Sequence, residues 1–468
     1  MAAQKLPWRL AACAFSALFA LACGGLDDVT SLHDLRILAV KTEPAEIKLP
    51  AVYALVDPAS RPPGFPLPQW DVAVTVYAYD PRGGEVTTSI FMCPESTADP
   101  ACFTFDPAAT IAAAADDTAR AQLETVYQPH RYQETLADPA QNPAGPIANN
   151  RHAFDMSTAV IDSLLWKGDQ AANLVLSPLL PRFVVQVDNS KVSGINHERA
   201  YKRLPMSLDY RDPMLPPQLL TTMLRSASTT VCHQQPDPFV EGAADCFYDF
   251  GANTNPVLVG FDLFDPDAEQ AARDRGEEIP PIRFADDPQL GTHPVLLVEK
   301  GATLHIRPVF KPSSMEPYQV FVAQTDLQGG GFGVSFGSGG GGGGGPDGEG
   351  NNAATSSVKL SLENRYEDFV CDWYATAGNV PRQTTSTSPG EGGPRGGGGG
   401  FGMEGRSSLD ADWELPGAAA SGNGGPFGFG NNDANTSTNS SGRDALILVV
   451  QDQRGGVAVG EITVEYQQ

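Results

Sequence analysis

The chain has 468 residues, a length that suits two or three domains, and sets 56 acidic against 31 basic side chains for a formal charge of −25. A surface of that sign repels phosphate backbones, and no basic cluster interrupts it, which argues against a nucleic-acid partner. No P-loop occurs, and the glycine doublets lack the strand–helix context of a dinucleotide fold, so no cofactor is implied.

In chain order, Lys5 and Arg9 precede an uncharged run from Leu10 to Leu21, and the junction reads Ala20-Leu21-Ala22-Cys23-Gly24. That layout is a secretory signal covering residues 1–22. The run is shorter than the ~20 residues a membrane-spanning helix needs. The junction resembles a bacterial lipobox, with Ala20 where that family usually has Leu. The resemblance implies a diacylglyceryl group on Cys23, cleavage just before it, and acylation of the new amine. Several acyl chains on one residue exceed the single chain that holds only marginally, so anchoring is expected to be stable. Gly24 in place of Asp implies the outer membrane, and residues 23–32 form the linker.

The first strand signal is Leu35–Val40, ending at Glu43-Pro44. Val72, Val74, Val76 and Ala78 then alternate with Ala73, Thr75, Tyr77 and Tyr79, the period of a half-buried strand. Asp80-Pro81-Arg82-Gly83-Gly84 supplies turn chemistry before Val86–Cys93, which predicts a hairpin. Residues 107–169 change character: Ala108–Thr125 and Met156–Trp166 read as two helices inserted into this β domain. Strands resume at Arg182–Val187 and Ala200–Leu208, with a short helix near Gln218–Arg225. The first domain spans 33–250, although residues 211–255 could also form a third unit.

The second domain, 251–468, opens near Asn255–Phe261. Further strands are expected at Val295–Glu299, Thr303–Phe310, Gln319–Gln324, Val358–Leu362, Phe369–Ala375, Ala445–Asp452 and Gly456–Tyr466. In the last, Val457 and Val459 have one parity and Ile462, Val464 and Tyr466 the other, so a β-bulge near Gly460 is expected to bring them to one face. The preceding turn, Asp452-Gln453-Arg454-Gly455-Gly456, repeats the Asp-x-Arg-Gly-Gly pattern of residues 80–84. Residues 329–350 hold 14 Gly, and with 389–442 they read as disordered loops (329–357 and 389–442) that cannot bury enough apolar surface to order themselves. Trp413 is an apolar island expected to dock back as a short strand.

Of the seven Cys, Cys13 leaves with the signal and Cys23 takes lipid, leaving Cys93, Cys102, Cys232, Cys246 and Cys371. Export permits disulfides. Cys93–Cys102 and Cys232–Cys246 are the nearest pairs in sequence, but spacing does not fix connectivity, and one thiol must remain. No CxxC occurs and His233 is an isolated neighbour of Cys232, which argues against zinc.

The opening Leu35–Pro44, the segment Asp372-Trp373-Tyr374-Ala375-Thr376-Ala377-Gly378, the later Trp413-x-x-Pro416 and the closing Val449–Gly456 resemble uncharacterised Gram-negative surface lipoproteins. The last three also resemble Ig-like modules of bacterial adhesins. The resemblance implies a mainly β chain of two Ig-like β-sandwich regions; in the second, Trp373 reads as the core aromatic, and Cys371, two residues earlier, is expected to be buried on the same face. It implies nothing about activity.

Catalytic patterns are weak. Gly333-Val334-Ser335-Phe336-Gly337 matches G-x-S-x-G without the flanking strand and helix. His197-Glu198 lacks the second His of a zinc protease. Asp265-Pro266-Asp267 starts like a calcium loop but has Gln270 where Gly is needed, and reads better as a helix start capped by Asp265. Asp286-Asp287 and Asp410/Asp412 are carboxylate pairs of a kind common in so acidic a chain. The sequence therefore points to no enzyme and no metal. It points to a lipid-anchored envelope protein with a binding or structural role towards another envelope protein or an external ligand. The alternatives are an accessory subunit docking a partner through the helical insertion, and an unrecognised hydrolase.

Overall fold

A computed structural model describes residues 32–467 except 33, 62–66, 95–101, 103–104, 137–146, 166–173, 175–177, 233–245, 249–250, 278, 285–294, 325–358, 388–408 and 418–442. Cys23, Ser335, Asp286 and Asp287 lie outside the described residues, as do the glycine-rich stretches apart from 409–417. No described helix is long and apolar enough to cross a membrane.

The first region contains β1 (Arg36–Glu43), β2 (Ile47–Leu49), α1 (Ala51–Leu55), β3 (Trp70–Tyr79), β4 (Gly84–Cys93), α2 (Pro107–Ala112) and α3 (Asp117–Tyr127). It continues with β5 (His130–Leu136), β6 (Ile147–Met156), α4 (Thr158–Leu165), β7 (Arg182–Asn189), β8 (His197–Arg203) and β9 (Met206–Leu208). Then come α5 (Pro217–Ser226), β10 (Thr230–Val231) and β11 (Cys246–Phe247). Two sheets, β1-β3-β6 and β5-β4-β7-β8, face each other across a core that includes Val74, Val76, Ile90, Phe154, Phe183 and Val185.

Several expectations for this region are overturned. β3 and β4 do not form a hairpin: they lie in opposite sheets, and residues 80–84 carry the chain between them. A corner and a hairpin need the same turn residues, so local chemistry could not separate them. Nor is 107–169 an insertion of two helices. It supplies β5 and β6, each paired along its length to β4 and β3, and three helices. The helix expected over Ala108–Thr125 is two, because Asp116 turns out of the helix and accepts a bond from Ala119 N–H at 2.7 Å, starting α3 afresh. Similarly, Ala200–Leu208 divides at Leu204-Pro205, and β9 pairs with β2 instead of β7.

The second region contains β12 (Leu258–Phe264), α6 (Pro266–Asp274), β13 (Ile282–Phe284), β14 (Val295–Val298), β15 (Thr303–Phe310), β16 (Pro317–Gln324) and β17 (Lys359–Tyr366). It ends with β18 (Phe369–Ala375), β19 (Thr384–Ser386), β20 (Ala411–Glu414), β21 (Arg443–Asp452) and β22 (Val457–Tyr466). The sheets are β13-β12-β15-β20 and β14-β22-β21-β18-β19, with β14 parallel to β22. Trp373 and Trp413 come from opposite sheets into one core and are both fully buried. Each indole N–H is satisfied, by Thr385 Oγ1 at 3.1 Å and Ala377 O at 3.0 Å. The Trp413 segment thus docks as a strand, β20, on β15.

No bulge occurs at Gly460. The β21–β22 register runs without interruption from Arg443↔Glu465 to Gln451↔Val457. Ile462 and Val464 point into the second core, while Val457 and Val459 point the other way, onto the first region. There they meet Leu38, Ala39, Tyr77 and Tyr79, with Ile447 and Val449 of β21 alongside. β3 is likewise buried on both faces, against the half-buried expectation. A two-sided apolar strand therefore marks a sheet with a neighbour on each side. Fully burying a side chain such as Ile447 or Val449 contributes about 1.5–3 kcal/mol. Gly460 itself is needed for close packing: a Cβ there would overlap Leu258 and stand 3.0 Å from Phe261 Cζ.

Candidate functional site

Cys93 pairs with Cys102 and Cys232 with Cys246, with Cα–Cα distances of 5.8 and 5.0 Å. The first disulfide packs with Val184 on the outer face of its sheet. The second ties the parallel β10–β11 pair. Cys371 is a free thiol at 0 % exposure beside Trp373, and burial pushes its pKa up to about 12. It is a core residue by chemistry as well as position, since the reactive form is the thiolate.

A dense cluster of buried charge lies where the two regions meet, and it is built on the Asp-x-Arg-Gly-Gly turn of residues 452–456. Asp452 folds its carboxylate back over the turn, accepting from Arg454 N–H at 2.9 Å and Gly456 N–H at 2.7 Å. Asn253 donates to both its oxygens at 3.2 Å. This holds the Arg454 side chain across the junction, where it meets Glu46 at 2.5 Å, Glu367 at 3.3 Å and Glu316 at 3.9 Å and lies over the Tyr318 ring. From the first region Lys202 reaches the Gly455 carbonyl. Burial works to raise the Glu46 pKa, yet Lys48, Arg454, the Ser207 hydroxyl and Asn253 N–H together bring it below its ordinary value.

The turn at residues 80–84 has the same construction. Asp80 is fully buried, accepts from Arg82 N–H at 3.0 Å, and takes a bond from the Asn189 amide at 2.9 Å. Arg82 reaches Asp34 at 2.9 Å. Repetition of the five-residue pattern was visible in the sequence. Its Asn partners, and the carboxylates Arg454 collects, come from distant strands and loops and carried no signal there.

Three histidine arrangements add to the polar chemistry. On the outer face of the second region, His305 Nδ1 is 2.6 Å from Asp412, and Arg307 bridges Asp410 at 3.0 Å and Glu269 at 3.2 Å. These contacts give Asp410 and Asp412, at the start of β20, partners on the adjacent strand β15. Asp265 caps α6 as expected, accepting from Asp267 and Ala268 N–H. Among the described residues no Ser, Thr or Cys is hydrogen-bonded to His305. His197 is bonded to Asp188 at 2.5 Å, and the Glu198 carboxylate accepts from Ile37 N–H, closing the β1–β8 seam. The opposite seam is filled by His130 and His152, whose rings stack at 3.9 Å, with the Tyr132 hydroxyl on His152 Nδ1. Burial, then the neighbouring His130, lowers the His152 pKa to about 4. Among the described residues no group of three His, Cys, Asp or Glu could hold a metal ion.

No family model matches the chain, and no curated protein matches it. Among solved structures it is similar to dimeric latent PorU from Porphyromonas gingivalis, at 9 % identity and a TM-score of 0.15. The match covers 94 % of this chain and 24 % of that one, so this chain spans about a quarter of its length. What the fold defines is a mainly β protein with paired, face-packed sheets.

Proposed function

We propose that this chain is an outer-membrane lipoprotein, anchored through Cys23, that serves a non-enzymatic binding or structural role in the cell envelope. The observation that carries the reading is the position of Leu32. This residue, nine after the lipobox-like Cys23, is buried in the apolar layer between the two regions, and its N–H bonds Ala375 O at 3.3 Å. A tether of that length reaches at most about 30 Å at ~3.3–3.6 Å per residue. An anchor on Cys23 would therefore keep Leu32, and the apolar layer it is buried in, within about 30 Å of the bilayer.

An Ig-like character for both regions is supported by their strand orders. In the first, β1-β3-β6 faces β5-β4-β7-β8, the arrangement of an A-B-E sheet over a C′-C-F-G sheet. In the second, β12-β15-β20 faces β22-β21-β18-β19, and β14 adds in parallel to the last strand. Trp373 then sits on the strand equivalent to C, where such domains keep a core Trp. The test is fractionation of cells expressing the wild type and Cys23→Ser, with mass spectrometry of the mature N-terminus. The reading expects an acylated Cys23 in the outer membrane, and a soluble, unacylated variant. An unmodified N-terminus in the wild type would sink it.

A further inference from the structure

Glu46, Glu316, Glu367 and Asp452 surround Arg454 at the junction, with Lys48 and Lys202 as the other cations. Four carboxyl groups against three cations balance when one carboxyl keeps its proton. Glu367 is placed to be that one. Its side chain is 0 % exposed, Oε1 is 3.3 Å from Arg454, and Oε2 is buried with no hydrogen-bond partner. An ionised oxygen in that position would be costly, whereas a neutral carboxyl is tolerated.

We propose that the Arg454 cluster is a proton-operated clasp between the two β regions, firm while Glu367 keeps its proton and looser as that proton leaves. The groups facing it come from every element at the junction. Arg454 and Asp452 lie on the β21–β22 turn and Glu316 precedes β16. Glu46 and Lys48 flank the start of β2, and Lys202 is on β8. Tyr318 lies beneath Arg454, and Asp368 receives a bond from Gln453 at 2.9 Å. Arg365 stands beside Tyr318.

Burial first, then the charge of Asp452, raises Glu367 to about 8, with Arg454 opposing and Glu316 adding. An opening that lets water reach Glu367 returns this carboxyl towards its ordinary value near 4.5. Opening therefore releases a proton, and closure weakens as pH rises from about 4.5 to about 8. Lys202, lowered by burial to about 8, acts in the other direction at higher pH: an opened junction takes up a proton there, so closure recovers as pH climbs further. Glu46, held below its ordinary value, fails the clasp only on the acid side. The clasp is firmest in mild acid and weakest near pH 8.

Hydrogen exchange on the full chain reads this directly, with rates corrected for the intrinsic effect of pH. The reporters are the junction amides of Leu32, Asn253 and Val457, and the references are the amides of Trp373, which bonds Gln383 O, and Leu448, whose side chains both lie inside the second core. From pH 5.5 to 8 the reporters should lose at least about tenfold in protection relative to the references, one pH unit of linkage being tenfold. Glu367→Gln should flatten that dependence. Glu316→Gln, at a more exposed position, should move the midpoint down without abolishing it. Constant protection in the wild type, or an unchanged profile in Glu367→Gln, overturns the proposal. Should Glu367→Gln fail to fold, an unmoved midpoint in Glu316→Gln does the same.

Discussion

Arg454 and Glu46, 408 positions apart in the chain, are joined by a 2.5 Å contact between a guanidinium nitrogen and a carboxylate oxygen. The pair spans the boundary between the two regions, with side-chain exposures of 14 % and 8 %. Removing one partner strands the other in a desolvated site, and such breaks cost about 3–5 kcal/mol when fully buried. We expect Arg454→Ala to destabilise the protein by roughly that amount, read as a lowered midpoint in urea. Arg82→Ala, with Arg82 about a quarter exposed, should cost less. Equal losses in the two variants would mean that the junction adds nothing to the turn itself.

Glu46 should govern the acid side of the stability profile. Its folded pKa is depressed, so its contribution is present above the ordinary carboxylate value and lost as pH falls through the lowered one. Thermal melting of the wild type from pH 6 to pH 3 should therefore fall more steeply than that of Glu46→Gln. Parallel curves would contradict the assignment.

Gly456→Ala should be severe. The added Cβ would collide with the Asp452 carboxylate and sit 3.0 Å from Pro256 Cδ, displacing the cap on Arg454 and Gly456 N–H. We expect a loss of about 1–3 kcal/mol, the cost of leaving buried groups unsatisfied. Gly251→Ala, where an added Cβ meets nothing within 4 Å, is the control and should stay within ~0.5 kcal/mol.

Thr385→Val keeps the shape of a fully buried side chain and deletes the acceptor for the Trp373 indole N–H. A cost of about 1–3 kcal/mol is expected in chemical denaturation, because the N–H has no water to turn to. A neutral substitution would show that the core rearranges around the indole.

Cys371 should resist a thiol reagent in the native protein and react on unfolding. Its burial both excludes the reagent and suppresses the thiolate. In protein beginning after Cys23, a thiol count rising from zero to one across the denaturant transition would agree with this. Reaction under native conditions would not.

Much of the second region was readable from local runs. Thr303–Phe310 and Phe369–Ala375 are strands over those residues, and Trp413 docks where an apolar island in a polar stretch had to bury itself. Trp373 and Cys371 share a buried face because alternation on β18 puts residues two apart on one side. Reading failed wherever a residue answered to a partner far away. The turn at 80–84 could serve a hairpin or a corner equally well, and only the pairing of β3 with β6 and of β4 with β7 made it a corner.

Local patterning was enough to read a mainly β chain, the positions of most strands, and the two Asp-x-Arg-Gly-Gly turns. Periodicity and turn chemistry act over a few residues, and those features depend on nothing more. Which sheet each strand joins, and why Val457 and Val459 face away from Ile462 and Val464, follows from long-range packing. The reason is a third apolar layer, since β22 lies between its own core and the first region and needs both faces apolar without a bulge. The Arg454 cluster was decided the same way. Its carboxylates are ordinary acidic residues in the chain, and they become a buried site only when packing removes the water between them.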